Sequence, residues 1–268
     1  MSLLVPQSFQ INNCISISTK IKNISFFYIY FNPIQTYKNL DNNYKILPTS
    51  SSNIIQSKIK YKLTDFIFSD LKAFIFEDNF SKSLYHLLIA SSILNNNSIC
   101  YIISTNPFIY SNNVPILNDF SFSLDLNKIS YKNLKSYFPS YLLKNPYIPI
   151  DIFLISFLIQ NNISVLDNEN VNIIMDNYIK DREKIEVYFI LTLLQYFLNY
   201  STEQIIKYLM QFKYTWSYFS LIYYFIVNYP ELLKEHLLYD TCLSYIQCQP
   251  KERNKNIIKT INNILFEI

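Results

Sequence analysis

The sequence holds no glycine in 268 residues. Every turn that needs a positive φ must therefore be built from asparagine, aspartate or another residue that tolerates the left-handed region. The asparagine clusters at 41–43, 95–97, 112–113 and 161–162 are the expected substitutes. The same absence excludes a glycine-rich loop that cradles phosphate and a glycine-based dinucleotide fingerprint. Cysteine and histidine are scarce. Cys14, Cys100, Cys242 and Cys248 have no zinc-ligand spacing with each other or with His86 and His236, so reduced, partly buried thiols are expected. Net charge is only +3, too small to argue for a nucleic-acid partner. The apolar runs are broken by Asn, Gln, Ser or Lys before the ~18–20 residues that a membrane-crossing helix needs. No basic region precedes the first apolar residues, MSLLVPQSFQ, so a secretory signal is not expected and an intracellular, cytoplasmic protein is the default.

What the chain does have is apolar bulk. Half of it is hydrophobic, and aromatics reach 17%, with 24 tyrosines and 21 phenylalanines, which is enough for a sizeable core. Abundant Asn, Ile and Lys with little Ala and Arg reads as coding from an AT-rich genome, which accounts for the tyrosines and phenylalanines without invoking base-stacking platforms. Residues 1–67 read as strands at Cys14–Ser18, Ile24–Phe31 and Asn53–Leu63 between Asn/Pro/Ser loops. From Asp65 the pattern turns helical. FSDLKAFIFED (68–78) and Phe80–Leu94 repeat apolar positions at helical spacing, and Asn95–Asn97 is expected to end the second helix in place of glycine. After Asp151 almost everything reads as helix: 151–160, 167–180, 183–200, 201–211, 215–229, 230–247 and 252–267, with Ser201 or Thr202 as a cap. Strands first and helices after imply an α+β chain.

Between these halves lies SICYIISTNPFIYSNNVPILNDFSFS (98–123): a short strand, a loop, a strand pair turning at Ser111–Asn113, then Asp-Phe-Ser. Preceded by the helix SLYHLLIASSIL, it resembles the catalytic and metal-binding loops of eukaryotic-type protein kinases, which read His-Arg-Asp-Leu-Lys-x-x-Asn and then Asp-Phe-Gly. Tyr101-Ile102-Ile103 falls on the first triplet, Phe108 on the Asn, and Asp119-Phe120-Ser121 on Asp-Phe-Gly. Two later segments follow in the family's order. NPYIPIDIF resembles the Ala-Pro-Glu region, with Pro149 and Asp151 at its Pro and Glu. TWSYFSLIYYF resembles the opening of the central buried helix, Asp-x-Trp/Tyr-Ser-Leu-Gly, with Ser217 at the Asp; QPKER (249–253) resembles the closing Asp-Pro-x-x-Arg. The similarity spans about residues 60–268. The extra length between Asp151 and Ser217, with Asp-Phe-Ser, is most like the divergent kinases of large DNA viruses.

The resemblance implies a bilobal protein-kinase-like fold: a reduced β-rich small lobe over 1–67 and a helical large lobe over 68–268, with a helical insertion within about 152–213. It also implies lost chemistry. Phosphoryl transfer needs a base and two metal-ligand positions. The base position is Ile103 and one ligand position is Phe108, neither of which can serve. Asp119 remains as the one possible metal or nucleotide contact, or else as a turn-forming residue beside the core residue Phe120. Lys20, Lys22 and Lys38 are candidates for a phosphate lysine or solvated strand ends. His86 reads as a helix residue on a half-buried face, and Glu203, Asp176, Asp181 and Glu183 as solvated helix charges. Asp151 and Arg253 are implied to form a buried ion pair. The expected function is that of a catalytically inactive kinase-like protein, a pseudokinase, acting as a scaffold, decoy or allosteric partner of another protein. No cofactor is expected, with ATP and magnesium as the exception if Asp119 still serves; neither nucleic acid nor membrane is an expected partner. The alternatives are a weakly active serine/threonine kinase and a helical interaction protein unrelated to kinases. The location is the cytoplasm, the host cytosol for a viral chain.

Overall fold

The computed structural model describes residues 80–104, 108–111, 114–117, 122–179, 187–229 and 238–266. The stretch 1–67 expected to hold strands, the helix expected over 68–78, Lys20, Lys22, Lys38, Cys14, Asp119, Phe120, Ser121, Asp181, Glu183 and His236 lie outside the described residues, as do the side chains of His86 and Phe108.

The described chain is mostly helical. It begins with α1 (Phe80–Asn96), followed by β1 (Ile99–Cys100), β2 (Phe108–Ser111), β3 (Val114–Leu117) and β4 (Leu124–Asp125). A short α2 (Leu134–Tyr137) and a 3-10 turn (Ser140–Lys144) lead to α3 (Ile150–Gln160), α4 (Asn168–Ile179), α5 (Val187–Tyr196) and α6 (Thr202–Leu209). A second 3-10 segment (Met210–Thr215) runs directly into α7 (Trp216–Asn228), and the chain closes with α8 (Tyr239–Gln247), a 3-10 turn (Pro250–Glu252) and α9 (Ile257–Phe266).

The strands form two antiparallel pairs. β1 pairs with β4, and β2 with β3. The second pairing opposes Ser111 and Val114, so the two strands meet where the sequence places a strand pair. α1 ends at Asn96, inside the asparagine cluster expected to stop it; the residue that turns left-handed is a correction. Asn97 is not the left-handed residue after α1; Ser98 is, at φ 59°. Asn97 instead donates to Ile93 through both its backbone N–H and its side-chain amide, and Asn95 is turned inward for a tertiary bond. Asparagine does take the left-handed conformation at Asn162 (φ 52°) and Asn199 (φ 65°). The second of these lies outside the clusters expected from sequence.

Two hydrophobic clusters fill the described region. One gathers α1, α7, α8 and α9 around Leu87, Phe219 and Ile246. The other gathers α3 to α6 around Phe153, Leu193 and Trp216. α7 stands at their boundary, because Trp216 packs in the second cluster and Tyr218 onward in the first. Every residue from Trp216 to Ile226 is buried, as expected for a helix whose run LIYYFIV offers no solvated face. α3 is nearly as enclosed, with Ile150 to Leu158 all buried.

Ser201 caps α6. Its hydroxyl accepts the Gln204 N–H at 3.3 Å, and the Gln204 side chain accepts the Ser201 N–H at 2.9 Å, a reciprocal box closed by Gln204 rather than by Glu203. Thr202 is not the cap; its hydroxyl donates to the Ile163 carbonyl. Ser201→Ala is therefore expected to cost about 1 kcal/mol in urea unfolding, with Glu203→Gln costing less. Equal costs would remove Ser201 from the capping role.

Candidate functional site

Residues Ile99 to Ile103 run extended and fully buried through the centre of the described chain. In an extended segment alternate side chains point to opposite sides. Ile99, Tyr101 and Ile103 enter the first cluster, and Cys100 and Ile102 enter the second. Such a segment, paired with β4 only at its start, must find other partners for its backbone, because an unpaired buried N–H costs about 1–3 kcal/mol. α7 supplies them. Tyr101 N–H donates to Ser217 Oγ at 2.9 Å, and Ile103 N–H donates to Ser220 Oγ at 3.0 Å. The Ile103 carbonyl accepts from Asn145 Nδ2 at 2.7 Å, and Asn145 Oδ1 accepts the Tyr147 N–H at 2.9 Å.

Ser217 has one proton to give. It donates to Asn95 Oδ1 at 3.0 Å, with Cys100 Sγ at 3.4 Å as the other acceptor within reach. The Asn95 amide then donates to the Tyr214 carbonyl at 3.0 Å. One hydroxyl thus ties the end of α1, the extended segment and the start of α7 together.

A second buried centre lies at the other side of the α7 N-terminus. Arg253 Nη2 meets Asp151 Oδ2 at 2.8 Å, with both side chains fully buried. The contact is single and of ordinary length, so the shorter Asp reaches without stretching. The other Asp151 oxygen accepts from Trp216 Nε1 at 3.1 Å. Arg253 Nη1 donates to Thr215 Oγ1 at 3.4 Å, and its guanidinium lies 4.7 Å from the centre of the Phe219 ring. Its Nε has no partner among the described residues. Burial by itself lowers the affinity of this guanidinium for its proton, but Asp151 and the surrounding groups more than offset that, and the group is held above its ordinary pKa. Gln249 and Glu252 close a capping box around the Pro250 turn that delivers Arg253.

The residues singled out from sequence fall into three groups. Ile103, Asp151 and Arg253 meet around the start of α7, which carries Ser217, through bonds between residues 38 to 117 positions apart along the chain. Asp119, Phe120 and the Phe108 side chain lie outside the described residues. Glu203 is exposed, and Asp176 sits on α4 away from both centres. Sequence reading missed Asn95, Asn145, Thr215 and Ser220. Asn145 was visible only as a residue before proline, and Ser220 as an interruption in an apolar helix.

The arrangement has little capacity for acid–base or nucleophilic chemistry. Burial pushes the Cys100 and Cys242 thiols up to about 12, with the Ser217 hydrogen bond opposing this at Cys100. Both are free, as is Cys248. Among the described residues no group of three or more His, Cys, Asp or Glu is placed to hold a metal ion. No helix among them is long and apolar enough to cross a membrane. Comparison of the chain with protein-family models, with curated proteins and with solved structures gives no match.

Two outcomes are expected. Arg253→Leu should lower stability by about 3–5 kcal/mol in chemical denaturation, because it strands the Asp151 charge in a buried site, whereas Lys251→Leu, at an exposed neighbouring position, should change it by under ~1 kcal/mol. Equal effects would remove the pair from the core. The thiols set an alkaline limit. Their folded pKa lies near 12 against the ordinary 9.0, so the protonated form is favoured by folding. That contribution is complete below pH 9 and lost as pH rises through 12. Unfolding followed across this window should show falling stability, less steep in Cys100→Ala; an unchanged slope would contradict the assignment.

Proposed function

We propose that the chain is a catalytically inactive, protein-kinase-like protein that acts by binding another protein. The observation that carries the reading is Ile103. At the position of the catalytic base stands a side chain that holds no proton, fully buried, with its N–H and its carbonyl both committed to Ser220 and Asn145. A loop built for proton transfer presents its base to a substrate hydroxyl; this one is a buried strut. Support for a kinase-like scaffold comes from the segments that carry the resemblance. Tyr101–Ile103, Asp151, Ser217 and Arg253 are distant in sequence and share one contact network around α7. That is what a retained scaffold requires once the chemistry is gone.

With no chemistry at this centre, action falls to surfaces. Any residual nucleotide contact would centre on Asp119. The test is transfer of radiolabelled phosphate from magnesium ATP to the protein itself and to generic serine, threonine and tyrosine acceptors, with Asp119→Asn as control. No transfer above that control is expected. Stoichiometric, Asp119-dependent autophosphorylation would replace this reading with a divergent serine/threonine kinase.

A further inference from the structure

The exposed face of α5, α6 and the following 3-10 segment is paved with aromatic rings. Tyr200 stacks on Tyr196 at 5.7 Å between ring centres, Tyr196 meets Tyr208 at 5.8 Å, and Tyr208 meets Phe212 at 5.3 Å. Tyr196 is 48% exposed, Tyr200 38% and Tyr214 47%. Val165, 44% exposed, is bridged to the neighbouring Ser201. A tyrosine-rich composition supplies tyrosines everywhere, but Tyr178, Tyr223 and Tyr245 are buried, and the fold leaves this set together outside.

Phe212 ends the strip and opens a cleft of about 430 Å³ between the end of α1, the 3-10 segment, the start of α7 and Lys255. Phe212, Tyr214 and Tyr218 give the cleft aromatic walls, Asn96 and Gln211 contribute carboxamides, and Lys255 supplies its one charge. No carboxylate lines it. Tyr218 is 8% exposed and its hydroxyl makes no hydrogen bond among the described residues. Lys255 lines the cleft, Lys213 lies on the 3-10 segment, and Lys251 lies on the Pro250 turn that packs against that segment, beside Glu252, which is engaged in its capping box; Glu203 and Lys207 are exposed on α6. The Lys213 ammonium lies 5.3 Å from the Tyr214 ring centre. Rings packed edge and face against one another leave no gap for a base to enter between them, so the strip does not suit stacking of a nucleic-acid strand. Contiguous exposed tyrosines beside a small pit are the composition of a protein-binding face, where one side chain anchors and the rest exclude water.

We infer that this face docks an acidic segment of another protein, its backbone running along Tyr200, Tyr196 and Tyr208, one apolar anchor seated in the cleft against Phe212 and Tyr218, and its carboxylates answering the surrounding lysines. The inference rests on the protein-binding half of the proposed function and supplies its surface.

The probe is a short acidic peptide with one central tryptophan, titrated into the full chain by fluorescence anisotropy. Controls are a basic peptide with the same tryptophan and an acidic peptide with alanine in its place. Expected are saturable binding of the first peptide alone, weakening with added salt, and a loss of about tenfold or more in Tyr196→Ser and in Lys255→Glu. Both variants change exposed side chains. Ile173→Ser, on α4 and 40% exposed, serves as the control and should bind unchanged. Equal binding of the three peptides, no binding, or an equal loss in Ile173→Ser overturns the inference, as does concentration-dependent dimerisation that Tyr196→Ser abolishes, because the occupant is then a second copy. Phosphate transfer is measured on the same samples. Transfer with peptide binding overturns the non-catalytic reading and leaves the docking face; neither transfer nor binding does the reverse.

Discussion

The described chain depends on how one buried extended segment satisfies its backbone. Residues 99–103 lie between two cores and send alternate side chains into each. A helix in that place would meet its own hydrogen-bonding needs; an extended segment cannot, and a full sheet is not there to help. Ser217 and Ser220 on α7 take the place of a neighbouring strand, three residues apart and so on one helix face, as the N–H groups of Tyr101 and Ile103 require. The arrangement calls for a helix that is buried on all sides and yet carries two small hydroxyls, which describes α7.

The second constraint follows from the first. Because Thr215, Trp216 and Ser217 at the start of α7 are buried, the polar groups around them must pair internally. Asp151 accepts from Trp216 and Arg253, Arg253 reaches Thr215, and Tyr245 donates to the Thr215 carbonyl at 3.4 Å. A buried ion pair is weak evidence for stability taken alone. Here it also sets position, since α3, the entry to α7 and the turn before α9 meet at it. The same enclosure that fixes these elements removes them from reactive chemistry. On the outer face α5 and α6 leave rings in solvent.

Much of this was legible in the residues. Helices after Asp151 follow from apolar spacing, the strand pair from Asn-Asn between two apolar runs, and the burial of α7 from a run with no polar side. The meeting of Asp151 with Arg253 was expected only through the resemblance to kinases, since nothing in local spacing links residues about a hundred positions apart. The left-handed stop at Ser98 was not legible. Asparagine is the better residue for that conformation, but Asn95 is drawn into a bond with Ser217 and Tyr214, and the position that must turn falls one residue beyond the cluster.

The absence of glycine settled by itself that no glycine-rich phosphate loop exists in this sequence, and the isoleucine at 103 and phenylalanine at 108, where the resemblance would put a base and an amide, can act as neither. Those are statements about side-chain chemistry, which a sequence carries in full. Which serine of α7 receives which N–H, which asparagine turns inward and which tyrosines stay outside are questions of distance between segments far apart in the chain. A serine, an asparagine or a tyrosine is equally at home in water or buried with a partner, so composition is silent on the choice. Only the packing of α1, α3 and α7 around the extended segment decided it, by leaving donors and acceptors there that had to be met.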